Sequence, residues 1–386
     1  MVSSPFYAND FLPFMITLLS DIQSSDGAEM TFRMVQEQIR AANQSIEIHM
    51  FVWRNDAIGQ EIGEAVLEAA ERGVAVRIIK DVGAIMYERI EMNRKSFFNK
   101  PISVKSRLLY GLIGPTFPNT FCEDDRTDEL GWKIINHRNV TIEWVNHTHT
   151  KYYIFDDDVM LTGSINIEDR HRGYLDYMIR IEGREHIERF RQRHSLQVPH
   201  DAARSLDFVL NSLRDGARRF EIKDRFLELM QQAKNSLYIE MAYIGDPDIS
   251  AGIAAAAARG VEVTMLFSRA ANVGNDINYK SMHELYRSAP MKAYLADRMI
   301  HSKLMMVDES IVIMGSANFS VFSMQKAEEL NVVIQGDKNL LDDFRKTIAH
   351  RIAAAREVRS EDEFSTYNKL IAYLQQLHQK LNDLFN

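Results

Sequence analysis

Only one of the 386 residues, Cys122, is a cysteine. That excludes a disulfide framework and any cysteine-built zinc site, and it fits a reducing compartment. Long apolar runs are missing too. The most apolar N-terminal run, Phe11 to Leu19, is nine residues long and contains Pro13, whereas a bilayer span needs about 20. The opening MVSSPFYAND has no positive charge and so does not resemble a secretory leader. Basic residues are not in excess: 46 Lys and Arg against 54 Asp and Glu give a net charge of −8. This balance argues against a nucleic-acid partner, leaving room only for a local basic groove. What remains is ordinary for a folded chain, with 46% hydrophobic and 26% charged residues.

Against that plain background one pattern occurs twice. In the stretch HTHTKYYIFDDDVMLTGSIN, His149-x-Lys151 is followed after four residues by Asp156 and after six more by Gly163-Ser164-x-Asn166. In HSKLMMVDESIVIMGSAN the same residues recur without a gap as His301-x-Lys303, Asp308 and Gly315-Ser316-x-Asn318. Packing alone does not require His, Lys and Asn at matched positions, since a core accepts many apolar sets. Tyr152 to Phe155 have high β-propensity, so the motif reads as a strand with His149 and Lys151 on one face.

The repeat extends upstream. Asn43–Asp81 and Lys234–Ser268 both read strand, loop, helix, Arg-Gly, strand. Ile62, Ala65, Val66 and Ala69 follow helical spacing, and Gly73 and Gly260 suit helix C-termini. Two βαβ units follow. The expected fold is therefore α/β: two duplicated halves, with mixed and largely parallel sheets, facing each other around one active site. The expected boundaries are 1–200 for the first half, 201–350 for the second, and 351–386 for a C-terminal helical extension. In that extension Leu370, Leu374, Leu377, Leu381 and Leu384 form an amphipathic seam. It is expected to pack on the body, with a dimer seam as the alternative, so the oligomeric state stays open.

The halves differ by an insertion. From Gly73 to His149 is 76 residues and from Gly260 to His301 is 41, which places about 35 extra residues near Gly83–Asp125. Residues 82–110 carry six basic side chains against two acids, and Tyr110–Phe121 is uncharged with three aromatics. The reading is either a surface excursion or a loop meeting anionic headgroups and the acyl boundary.

Paired His, Lys and Asn suit a phosphodiester. One neutral imidazole attacks phosphorus and forms a phosphohistidine, while the other, protonated, donates to the leaving oxygen. Lys151, Lys303, Asn166 and Asn318 stabilise the charge on the equatorial oxygens. No metal and no other cofactor is needed: the lysines repel a cation and no ligand spacing supports zinc. Each imidazole needs an orienting acceptor. Asp176 lies 27 residues after His149 and Glu329 lies 28 after His301, and these are the candidate partners, with same-half and crossed pairing both open. Glu328, the rival to Glu329, is expected to face away. Asp156 and Asp308 fall at turns and read as structural. The hydroxyls of Ser164 and Ser316 are candidates to bind phosphate or to join the histidine shell. His147 reads as a rim residue, and His171 and Arg172 as a solvated loop, with contact to a headgroup as the alternative.

The paired motifs resemble the phospholipase D superfamily. Within it, IHMFVWRNDAIGQEI, AERGVAVRIIKD and GSANFSVFSMQKAEELNVVI resemble the bacterial cardiolipin synthase and phospholipase D-like branch, and the resemblance covers Asn43 to about Gly336. It implies two α/β halves around one site that works without metal. By it His149 would be the nucleophile, His301 the general acid and base, and the lysines and asparagines the phosphate clamp. The implied partners are a phospholipid membrane surface and an alcohol or water acceptor. The same motifs serve a synthase and a hydrolase. The expected location is cytoplasmic and peripherally membrane-associated. A nuclease or other phosphodiesterase of the superfamily is the alternative, and a membrane scaffold with a silent site is a third reading, opposed by both motifs being intact.

Overall fold

In the computed structural model, the described residues are 16–19, 28–90, 96–99, 128–213, 218–272, 274–374 and 376. Most of the insertion, residues 91–95 and 100–127, lies outside them, as do Leu377, Leu381 and Leu384.

The first half supplies β1 (Ile16–Leu19), β2 (Ser45–Met50), β3 (Ala75–Asp81), β4 (Val140–Val145), β5 (Tyr152–Phe155), β6 (Val159–Gly163) and β7 (Met178–Glu182). They form one sheet in the order β1-β7-β6-β5-β2-β3-β4. The second supplies β8 (Leu206–Ser212), β9 (Arg219–Phe220), β10 (Ser236–Met241), β11 (Glu262–Ser268), β12 (Lys292–Ala296), β13 (Lys303–Val307), β14 (Ile311–Gly315), β15 (Glu329–Gln335) and β16 (Arg356–Glu357). Their order is β16-β12-β11-β10-β13-β14-β15-β8-β9. The repeat is thus visible as the matched runs β2-β3 and β10-β11, and β5-β6-β7 and β13-β14-β15.

The expectation of largely parallel sheets is corrected. Parallel pairing is confined to β2–β3–β4 and β10–β11–β12. The other ladders are antiparallel, because each motif folds as a hairpin on a short Asp-containing turn. A short turn joins only antiparallel strands, whereas parallel ones need a crossover helix. In the first half α1 (Glu29–Ala41) leads into β2, α2 (Ala57–Glu71) is the crossover from β2 to β3, and the helix Glu129–Ile135 lies in the crossover from β3 to β4. The helix Pro247–Ala258 is the counterpart of α2. Asp56 caps α2 by accepting from the Gly59 N–H, and Asp246 caps its counterpart by accepting from Asp248 and Ile249 N–H. Gly73 and Gly260 leave the two helices at φ +99° and +91°, in the left-handed region.

The sheets pack face to face. Tyr152, Ile154, Met160 and Ile179 of the first meet Phe208, Leu304, Met306 and Leu330 of the second in one buried cluster. Alternate residues of β5, Tyr153 and Phe155, join the cluster on the helix side. Both faces of the motif strands are therefore dry, which explains their unbroken apolar character.

The C-terminal region departs from a simple helical extension. Helix Lys338–Ala353 buries Leu340, Leu341 and Phe344 between the halves. Strand β16 then adds to the edge of the second sheet, and a 3-10 turn buries Phe364. A further helical stretch begins at Lys369, but Leu370 is 66% exposed and Leu374 43%, while Ala372 is buried. In the described part the leucine seam therefore faces away from the body, because the buried contact is made one step round the helix. Among the described residues no helix is long and apolar enough to cross a membrane.

Each motif aspartate staples its turn to the repeat unit. Asp156 accepts from the N–H groups of Asn43, Gln44 and Ser45 at 2.8 to 2.9 Å. Asp308 does the same for Lys234, Asn235 and Ser236 at 2.7 to 3.0 Å. Burial raises both carboxyls, but the three donors hold each below the usual range. Asp156→Ala and Asp308→Ala are each expected to lower the unfolding free energy by about 1–3 kcal/mol, read by urea denaturation, while KM stays within about twofold. Unchanged stability in both variants would refute this role.

Candidate active site

The sheets present their motif segments to each other. The ladder of β5 starts at Tyr152, one residue after Lys151, so the His149 segment lies outside it. Its backbone bonds across to the other half instead. Glu328 N–H donates to His147 O (2.7 Å) and His149 N–H to Glu328 O (2.8 Å). In the mirror arrangement Leu175 N–H donates to Met299 O (2.8 Å) and His301 N–H to Leu175 O (2.9 Å). The carboxyl ends of the matched strands brace these segments. Asp81 Oδ2 accepts from Thr148 N–H at 3.0 Å, and Ser268 Oγ accepts from Ile300 N–H at 2.7 Å.

This stitching crosses the pairs. His149 Nδ1 donates toward Glu329, 3.2 Å from either oxygen, and lies 3.0 Å from Ser316 O. His301 Nδ1 donates to Asp176 Oδ2 at 2.9 Å. Each imidazole is thus oriented by a carboxylate of the opposite half, and of the two pairings open to the sequence the crossed one is realised. With Nδ1–H engaged, Nε2 of each ring is left for chemistry. The Ser164 hydroxyl donates to Asp176 and the Ser316 hydroxyl to Glu329, so both serines hold carboxylates and are not free to bind phosphate. Glu328 turns away and accepts from Leu213 N–H at 3.1 Å. His147, at φ 60°, lies beside Phe322 at the rim.

Lys151 and Lys303 are buried, each ammonium donating to the carbonyl of its own motif histidine. The Phe51 ring lies 4.8 Å from the His149 ring and 5.3 Å from Lys151 Nζ. Asn166 Oδ1 accepts from Val52 N–H at 3.4 Å. Asn318 Oδ1 is buried with no hydrogen-bond partner among the described residues.

The expectation of a solvated His171 is overturned. Its side chain is fully buried behind Asp176, with Nδ1 3.1 Å from Asp176 Oδ2 and Nε2 3.1 Å from Glu168 Oε1. Glu168 is held in turn by Arg54 at 2.6 Å and Arg170 at 2.7 Å. The only cue in the sequence is that His171, five residues after Asn166, has Ser323 at the matching place after Asn318. Arg172 is half-buried and pairs with Glu29 and Asp169.

Electrostatics follow from burial. Asp176 and Glu329 are raised by burial, but their histidines and further donors outweigh it and keep both ionised. His149 and His301 are lowered by burial and by the nearby lysines, against their carboxylates. Burial also lowers Lys151 to about 7 and Lys303 to about 8. Lys151 feels Glu329, Lys303 and Asp176, and Lys303 feels both carboxylates, so the two motifs form one site. His171, Asp176 and His301 bring donor atoms within 4.8 Å. A cation there would have to displace two N–H···O contacts.

The family model described as "Cardiolipin synthase, PLD-like domain" matches residues 35–195 and 226–352. The chain belongs to this family. Each matched segment contains one motif. A cardiolipin synthase of Halalkalibacterium halodurans is 25% identical over 84% of the chain, and one of Clostridium perfringens 24% over 86%. The chain spans 65% of the length of the first and 71% of the second. The crystal structure of a phosphatidylserine synthase of Haemophilus influenzae superimposes with a TM-score of 0.66 at 13% identity, covering 95% of this chain and 93% of that one. That likeness is one of fold.

The lysines set a pH dependence. With both lowered from the usual lysine range by burial, the pair carries more positive charge at pH 6 than at pH 9. A bound anion favours the charged forms, so binding above pH 8 draws in protons. Unfolded lysines hold their protons to about 10.4, so this pair makes the free chain more stable as pH rises from about 7 to 10. Calorimetry with a soluble phosphodiester, whose own charge is constant, is expected to show at least about tenfold weaker binding at pH 9 than at pH 6.5. Buffers of different ionisation enthalpy should reveal net proton uptake. Affinity independent of pH would refute the assignment.

Proposed function

We propose that this chain transfers the phosphatidyl group of a phospholipid, through a phosphohistidine, to an alcohol or to water. The observation that carries the reading is the crossed pair of carboxylate-held imidazoles beside two buried lysines. The similarity to cardiolipin synthases supports the lipid as substrate.

In the proposed cycle the diester phosphate binds beside Lys151 and Lys303. Its negative charge favours the imidazolium of His301, which the empty site disfavours. His149 Nε2 attacks phosphorus as the bond to the leaving oxygen breaks, and His301 gives that oxygen its proton. The alcohol departs and neutral His301 takes the proton of the incoming hydroxyl. That oxygen attacks phosphorus, the bond to His149 breaks, and both rings return to their starting states. Asn166 and Asn318 are proposed to donate to the equatorial oxygens. An amide turned by 180° presents nitrogen where oxygen was, so the unpartnered end of Asn318 suits that task. The protein is proposed to work at the membrane surface, without a cofactor. The domain boundaries expected from the sequence fit this scheme, with one motif in each half.

The test uses vesicles of phosphatidylglycerol and phosphatidylethanolamine, with EDTA, and lipid products read by mass spectrometry. Cardiolipin would identify an alcohol acceptor, and phosphatidic acid alone would identify water. His149→Ala and His301→Ala are each expected to lower turnover by about 10³-fold or more. No lipid product, with cleavage of an oligonucleotide or another soluble diester, would overturn the lipid reading.

A further inference from the structure

The two catalytic histidines come from identical motifs but stand in different surroundings. Behind His149 stands Glu329, held by Ser316 and, among the described residues, by no second histidine. Behind His301 runs a buried series: Asp176, His171, Glu168, then Arg54 and Arg170. His171 and His301 donate to the same oxygen, Asp176 Oδ2, at 3.1 and 2.9 Å, and their rings lie edge to face at 4.6 Å. A ring with a carboxylate oxygen 3.1 Å from each nitrogen needs a hydrogen on both to avoid opposing lone pairs. The Asn166 backbone N–H, at 3.4 Å, and the Asn166 amide nitrogen, at 3.3 Å, also face Nε2 but lie farther from it than the Glu168 oxygen.

We propose that His171 is a positioning residue: an imidazolium that pins Asp176 and divides its charge with His301, so that His301 rather than His149 serves as acid and base. It rests on the reaction proposed above for its consequence, but not for its geometry. His171 makes no bond to substrate. It limits how strongly Asp176 stabilises a proton on His301, which keeps that proton transferable. Glu168, between two arginines, supplies the counter-charge.

The charged and titratable groups around this series come from several elements. Lys303 acts on His301 from the motif itself. The Tyr174 ring stacks on His301 at 6.1 Å and meets the His171 ring at 5.2 Å. Arg351, from the helix Lys338–Ala353, donates to the Asp176 carbonyl at 2.7 Å. Lys151 acts on the Glu168 and Asp176 side of the site. All of these remain in place in a His171 variant, so a change in His301 reports on His171.

The sign follows directly. Without the cation on its far side, Asp176 gives its whole charge to His301, so the His301 imidazolium gains stability and its titration moves up. The experiment is a ring-nitrogen NMR titration of the substrate-free, full-length protein, with His301 assigned by signal loss in His301→Gln. In the wild type both ring nitrogens of His171 are expected to carry hydrogen at pH 7. In His171→Gln, which keeps an N–H for Asp176 but no charge, the His301 midpoint is expected to rise by about one pH unit. With phospholipid vesicles the same variant is expected to move the acid limb of the kcat profile upward. It should lose about tenfold in kcat at neutral pH with KM unchanged. His171→Phe, which removes the N–H as well, should lose more.

A bare ring nitrogen on His171 in the wild type would overturn the proposal, and this holds even where the variants fail to fold. So would an unmoved His301 titration in folded His171→Gln. A moved titration in a chain that turns over no phospholipid would support the His171 assignment while counting against the lipid reaction.

Discussion

The site depends on backbone hydrogen bonds that join the halves. They tie His147 and His149 to Glu328, and Leu175 to Met299 and His301. Because the chain just before each motif lysine bonds to the opposite half, each imidazole meets the carboxylate that half provides. Neither half holds an oriented histidine–carboxylate pair of this kind alone. The face-to-face cluster of apolar residues keeps these bonds dry, and in a dry interior an unmade backbone bond costs more than a made one contributes. Sheet packing and site assembly are therefore one event.

The tight approach of each hairpin to the next strand serves the same end. A Cβ on Gly315 would fall 2.2 Å from Leu330 O, and one on Gly163 would fall 2.3 Å from Tyr177 O. Both glycines allow the strand bearing the carboxylate to lie directly against the motif turn. The serine after each glycine can then reach that carboxylate. The motif thus encodes two things at once: the histidine, lysine and asparagine side chains and the closeness that fixes their neighbours. The backbone staples of Asp156 and Asp308 hold the other end of each hairpin.

How much of this was legible follows from distance along the chain. The βαβ units, the hairpins and the structural aspartates rest on local periodicity and turn chemistry, and spacing alone picked out Asp176 and Glu329. The crossed pairing, by contrast, spans 180 residues for His149 and 125 for His301. No local pattern carries that information, because it is set by how the two sheets meet. The overestimate of parallel pairing has a similar cause. An apolar strand buried on both faces reads alike whether its neighbours run with it or against it, and β5 is such a strand. His171 was misread because a polar run, EDRHRG, resembles a solvated loop until its partners from elsewhere in the fold are known. Arg54 is 114 residues away from Glu168.

Duplication supplies a symmetric frame, yet the two-step transfer proposed for this chain needs its two histidines to differ. The differences lie where the repeat diverges, not in the motifs. Phe51, whose ring faces His149 and the Lys151 ammonium, has Ala242 at the matching position. His171, behind His301, is matched by Ser323, which packs beside the Ser320 cap of a short helix. One imidazole is thus walled by an aromatic ring that holds no charge of its own. The other is backed by a buried series of alternating charge. A hydrophobic wall favours the neutral ring that attack requires, and a charged series can stabilise a ring that gains and loses a proton. The division of labour proposed for the identical motifs would therefore reside in residues that the motifs do not contain.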